Sequence, residues 1–151
     1  MNKNNYEPGE GLLALLKESE GLELKAYQDV VGIWTIGYGT THVKGAGVRE
    51  GMECTKEQAV EYMIDELAGI IKFINSHVLV TITQNQFDAL CDFAYNLGCN
   101  ALKSSTLLAT LNTGNYTVAA SEFLRWNHAE GQVVHGLTVR CEKRKVLFEK
   151  P

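Results

Sequence analysis

Three side chains within a short stretch, Glu20, Asp29 and Thr35, are of the right types to do chemistry together. Glu20 ends a stripe. Leu12, Leu16 and Glu20 are spaced i, i+4, i+8, and Leu13 lies two helical turns before it. A carboxyl on an apolar face loses hydration, and the end of a helix is electrically negative; both favour the protonated acid. Such a group is a proton donor near neutral pH. Its neighbours Glu10, Glu18 and Glu23 follow the ordinary surface pattern. Asp29 supplies a second carboxylate, and Thr35 a hydroxyl able to hold a water near it. An acid, a second carboxylate and a water-orienting hydroxyl are the parts of glycoside hydrolysis with inversion. Each residue alone also has an ordinary role: Glu20 in water at a frayed helix end, Asp29 capping its own turn, Thr35 a β-branched strand former.

A helix, a turn and a strand must hold these groups. Residues 10–20 are amphipathic, with Leu12, Leu13 and Leu16 on one stripe and Gly21 as a stop. The stretch 22–54 is glycine-rich. Within it Asp29–Gly32 fits a type I turn. Ile33 to Tyr38 alternates, Trp34, Ile36 and Tyr38 on one face and Ile33, Thr35 and Gly37 on the other. These signals predict a small twisted β-hairpin lobe. Thr55 with Gln58 forms a capping box that opens a long helix to about His77. Thr83 with Gln86 repeats the device and opens a helix through Leu97, ended by Gly98. The rest reads as short helices with glycine stops and a basic terminal helix. The expected architecture is α+β: a β lobe at 22–54, a connecting helix at 55–77, and a helical lobe from 11–20 and 78–151. Lobes joined in this way leave a cleft for a ligand.

Composition bounds the function. The chain has 151 residues, is 45% hydrophobic and carries a net charge of −4. It is long enough to bury a core without staples, and disorder is not expected. No apolar run of membrane-spanning length and no secretory signal are visible, so cytosolic synthesis is expected, with no stable membrane insertion. An acidic pI near 5.6 argues against nucleic acid as the main partner. The charge is uneven: Arg140, Lys143, Arg144, Lys145 and Lys150 crowd the end, as a solvated helix face or as a surface for an anionic polymer. Cys54, Cys91, Cys99 and Cys141 form no CxxC pair, and His42, His77, His128 and His135 are scattered, so no metal site is expected. On one continuous helix Cys91 and Cys99 would stand about 12 Å apart, beyond bridging. All four cysteines are read as reduced, mostly buried thiols.

Glu20-Gly21, Ala26-Tyr27, Asp29, Gly32, Thr35 to Gly39 and Thr41 closely resemble the signature of the phage-type lysozymes. These endolysins or muramidases form glycoside hydrolase family 24. The segments 86–98 and 104–112 resemble the helical lobe of the same family, and Arg125-Trp126 with Gly136-Leu137 before a basic helix fits as well. The resemblance covers nearly the whole chain from Gly11. It implies a lysozyme-like fold and hydrolysis of the β-1,4 bond between N-acetylmuramic acid and N-acetylglucosamine in peptidoglycan. Glu20 is then the general acid, while Asp29 and Thr35 activate a water that attacks from the opposite face, without a cofactor. Arg140 is the implied ion-pair partner of the acid, which would lower the acid's pKa against the effect of the apolar stripe. Asn96 resembles a cleft-lining amide for an acetamido group, and Tyr38 and Arg125 are further substrate contacts. Cys141 departs from the two adjacent basic residues that many relatives carry here. The resemblance also implies a monomer held in the host cytoplasm until a holin releases it to the periplasm and cell wall. A lytic transglycosylase would use the acid alone, and a wall-binding protein on the same fold would use none of the three.

Overall fold

A computed structural model describes residues 6–129 and 131–151. Backbone packing divides the chain into two compact units, one of Leu13–Gly69 and one of Ile70–Pro151 with the chain up to Leu12. The divisions fall inside two helices, α1 (Glu10–Glu20) and α2 (Lys56–His77).

The first unit is built on the end of α1. Along α1, Leu12, Leu15 and Leu16 are buried while Leu13 and Glu20 are half-buried, so the stripe runs through Leu12 and Leu16 as read and takes in Leu15 rather than Leu13. Gly21 closes the helix by donating its N–H to the Lys17 carbonyl at 3.1 Å. Strand β1 (Glu23–Gln28) then pairs antiparallel with β2 (Trp34–Gly37), Tyr27 opposite Thr35 and Gln28 opposite Trp34, with a bulge before Tyr27. Between them the Gly32 N–H donates to the Asp29 carbonyl at 3.0 Å, closing the expected turn. The alternation of β2 does not survive as burial: Thr35, Ile36, Gly37 and Tyr38 are all buried, because both faces of this short strand are covered. A second hairpin, β3 (His42–Val43) with β4 (Ala46–Gly47), follows. The Thr55 capping box forms as read: Gln58 N–H donates to Thr55 Oγ1 at 3.1 Å, and Thr55 N–H to Gln58 Oε1 at 2.9 Å.

The other unit is helical. Its elements are α3 (Gln84–Leu97), α4 (Cys99–Lys103), α5 (Thr106–Asn112), α6 (Tyr116–Glu122), a 3-10 turn at Phe123–Arg125 and α7 (His135–Glu149). The Thr83–Gln86 box opens α3, and α3 packs along α7. An edge-to-face chain of rings fills the core: Phe93 meets Trp126 at 5.0 Å and Phe123 at 6.2 Å, and Phe123 meets Phe148 at 5.3 Å. Two elements went unread in the sequence. Helix α4 starts directly after Gly98, so Cys91 and Cys99 do not share one helix and the rise argument does not apply to them. A small hairpin, β5 (His128–Ala129) with β6 (Gln132–Val133), precedes α7.

All four cysteines are free thiols; Cys54, Cys91 and Cys141 are buried. Burial pushes each thiol up, Cys91 most of all, with the charges of Asp88 and Asp92 adding to it. The folded state therefore holds these protons at pH values where the unfolded chain releases them. The resulting stability is full below the free-thiol pKa and is lost as pH rises above about 9. Each pH unit beyond that point should remove up to about 1.4 kcal/mol through Cys91 alone. Urea unfolding between pH 7 and 11 checks this, and Cys91→Ala should flatten the alkaline decline.

Candidate active site

Glu20 is the last residue of α1, and its carboxyl lies against the backbone of Gly39. A Cβ at position 39 would stand 2.8 Å from Glu20 Oε1 and 3.3 Å from Cδ. Gly39 also has φ +78°, a region that disfavours side chains. The glycine of the Tyr38-Gly39 pair is thus the surface on which the acid rests.

Asp29 and Thr35 meet through one peptide group, that of Ile33. Asp29 Oδ1 accepts the N–H of Ile33 and that of Val31, each at 2.9 Å. The Ile33 carbonyl in turn accepts the Asp29 N–H at 2.9 Å and the Thr35 hydroxyl at 2.9 Å. The ordinary turn-capping role of Asp29 and a possible chemical one are therefore compatible, since each uses a different oxygen. Among the described residues Oδ2 of Asp29 has no hydrogen-bond partner. Because the Thr35 hydroxyl donates to a carbonyl, its lone pairs remain for accepting, in a side chain that is itself buried.

Tyr27 is the residue the sequence reading passed over. It sits opposite Thr35 in register, and its phenol is pushed up first by burial, then by the charges of Glu20, Glu23 and Asp29. Glu20 and Asp29 are thus both near enough to act on one ring. The sequence signal was the Ala26-Tyr27 pair within the signature, which carried no chemistry by spacing.

The remaining candidates separate. Tyr38 is buried in the same unit, 8% exposed. Arg125 is largely exposed and pairs with Glu122 at 3.3 Å. Arg140 and Asn96 are joined through a buried cluster of the helical unit. Arg140 grips Asp92 with two bonds, Nε to Oδ2 at 3.2 Å and Nη2 to Oδ1 at 2.9 Å. Arg144 donates Nε to Asp92 Oδ2 at 2.5 Å and Nη2 to Asn96 Oδ1 at 2.7 Å. Its guanidinium also lies 5.7 Å from the Phe93 ring centre. Burial draws the Arg144 guanidinium below its usual pKa while Asp92 opposes the shift. Two of the basic residues of the terminal helix are therefore interior, against the reading of a wholly solvated or polymer-facing basic helix. Asp92 and Arg144 gave no signal in the sequence beyond their charge.

Among the described residues no cluster of His, Cys, Asp or Glu is placed to hold a metal ion, and no helix is long and apolar enough to cross a membrane.

A small unit of antiparallel hairpins that carries Glu20, Asp29 and Thr35, joined in one chain with a helical unit, is the fold of a lysozyme-type hydrolase. The phage lysozyme family model matches residues 17–144. An endolysin of Acyrthosiphon pisum secondary endosymbiont phage 1 is 40% identical over 141 residues, covering 91% of this chain and 94% of that protein. Among solved structures, an endolysin from Escherichia coli O157:H7 phage FAHEc1 superposes with a TM-score of 0.92 at 34% identity, covering 99% of this chain and 97% of its own. The muramidase domain of SpmX from Asticaccaulis excentricus gives 0.87 at 36% identity, covering 97% and 100%. The chain belongs to the phage lysozyme family, as an endolysin-type hydrolase of peptidoglycan.

Gly39→Ala should displace the Glu20 carboxyl and reduce lysis by an order of magnitude or more. The left-handed φ adds a stability loss of only about 1–2 kcal/mol. Turbidity assays beside denaturant unfolding separate the two effects. Asp92→Asn should leave two interior guanidiniums without their shared anion and cost about 3–5 kcal/mol. Urea unfolding of the single variant against Asp92→Asn with Arg144→Met tests this, the second change recovering part of the loss.

Proposed function

We propose that the chain hydrolyses the β-1,4 bond between N-acetylmuramic acid and N-acetylglucosamine with inversion. Glu20 protonates the leaving oxygen, and Asp29 with Thr35 directs a water to the anomeric carbon from the other face. The observation that carries this reading is the Ile33 peptide. It holds Asp29 and Thr35 in one frame while leaving Asp29 Oδ2 and the threonine lone pairs, among the described residues, without a hydrogen-bond donor. Inversion needs the carboxyl groups about 6.5–9.5 Å apart, to leave room for the attacking water. Arg140, fixed by Asp92, is the supporting cation. Asn96 gives its oxygen to Arg144 and keeps its amide hydrogens for an acetamido oxygen. Tyr38 and Arg125, one buried and one paired with Glu122, are the weaker holds on saccharide. The protein acts as a monomer, stored in the host cytoplasm and released to the wall by a holin.

Glu20→Gln should reduce turnover by roughly 10²–10⁴-fold with unfolding unchanged. Thr35→Ala should lower kcat with little change in KM. Mass spectrometry of the products from purified peptidoglycan must give reducing ends, and NMR of fresh product must give the α-anomer. Anhydromuramic ends would identify a transglycosylase and overturn hydrolysis. Wall binding without any cleavage would overturn enzymatic action altogether.

A further inference from the structure

Regular pairing in the β1–β2 ladder begins at Tyr27. The bulge lies before it, and from there Tyr27 stands opposite Thr35 and Gln28 opposite Trp34. Directly opposite residues of an antiparallel pair put their side chains on one face, and successive residues alternate. Tyr27 and Thr35 therefore share one face of the hairpin, while Gln28 and Trp34 share the other. The Asp29 N–H donates to the Ile33 carbonyl at 2.9 Å, which carries the ladder one pair further. Asp29, two residues after Tyr27, thus belongs to the Tyr27 side. One ring stands beside both groups to which the direction of water is assigned.

Exposure divides this face. Thr35 is 4% exposed and Tyr27 36%. A molecule that reaches the face meets the tyrosine before the threonine. Among the described residues the Tyr27 hydroxyl has no hydrogen-bond partner, and its ring stacks on no other ring. The phenols of Tyr6 and Tyr116, by contrast, are tied to the carbonyls of Ile82 and Thr81. Those two rings are fixed parts of the helical unit, whereas packing does not account for a partly exposed phenol with its hydroxyl unused. Burial first, then the charges of Glu20, Glu23 and Asp29, hold the proton on Tyr27. The group is therefore a neutral donor at pH 7 and well above.

In an inverting hydrolase the water attacks from the side of the sugar opposite the proton donor. The pyranose under attack must then lie against the part of the site that carries Asp29 and Thr35. Tyr27 borders that place from the same hairpin face. We propose that Tyr27 is a substrate contact: its ring packs on the C–H face of the attacked pyranose, and its hydroxyl donates to an oxygen of that sugar. This inference rests on the hydrolytic reading above. A phenol suits such an occupant, because a sugar ring offers C–H groups to an aromatic face and oxygen acceptors to a donor at its edge.

The test uses a peptide-free tetrasaccharide of alternating N-acetylglucosamine and N-acetylmuramic acid. Its binding is measured to Glu20→Gln alone and to Glu20→Gln with Tyr27→Phe or Tyr27→Leu. Tyr27→Phe should raise Kd roughly two- to tenfold through one lost hydrogen bond. Tyr27→Leu should raise it roughly tenfold or more, since the ring goes as well. NMR of the bound sugar should show C–H protons moved upfield by the ring current with Tyr or Phe at position 27, and not with Leu. Unchanged Kd in both variants would overturn the proposal. So would an upfield shift that survives Tyr27→Leu undiminished, which would put a different ring on the sugar. Loss of turnover by Tyr27→Phe at an unchanged Kd would mean action on the water alone and overturn the contact. Lysis retained by Glu20→Gln would instead strike the catalytic reading and leave the binding comparison intact.

Discussion

A buried carboxylate is costly unless its charge is met, and Asp92 is buried completely. Two guanidiniums from α7 meet it, one with a two-pronged grip, and the second reaches on to Asn96. This arrangement fixes α3 against α7 in register as well as in contact, because the charges tolerate no slip that apolar packing would allow. Arg140, the one functional candidate on α7, inherits its position from that grip. The ring chain of Phe93, Phe123 and Phe148 adds apolar area to the same unit, with Phe93 also facing Arg144.

The β unit uses a neutral version of the same economy. One peptide group, that of Ile33, donates to a carboxylate and accepts from a hydroxyl and a backbone amide. Two side chains six residues apart are thereby set by a single backbone orientation. A turn-capping aspartate does not have to be displaced from its local duty to face a substrate, since a carboxylate has two oxygens and the turn takes one.

Much of this was legible beforehand, and the limits have physical causes. Helix α1 and the boxes at Thr55 and Thr83 lie where the sequence puts them, because caps and apolar periodicity are local signals. The turn at Asp29 is local too. The shift from Leu13 to Leu15 within α1 reflects what packs on the helix, which the helix itself does not encode. The interior placement of Arg140 and Arg144 was invisible for the same reason: their partner is about fifty positions away. Tyr27 was hidden because its significance comes from register across a hairpin, and the contact of Glu20 with Gly39 because it joins a helix end to a distant turn. Helix α4 and the β5–β6 hairpin are too short for periodicity to announce them.

The seat of Glu20 also has a thermodynamic side. A glycine widens the conformational space of the unfolded chain, and replacing one by alanine is a common route to a sturdier protein. At position 39 that route is closed twice, by the left-handed backbone and by the carboxyl occupying the space of a methyl group. The β unit must forgo that stabilisation for as long as it keeps the acid where it is. Robustness gained by evolution or engineering has to come from elsewhere in the chain.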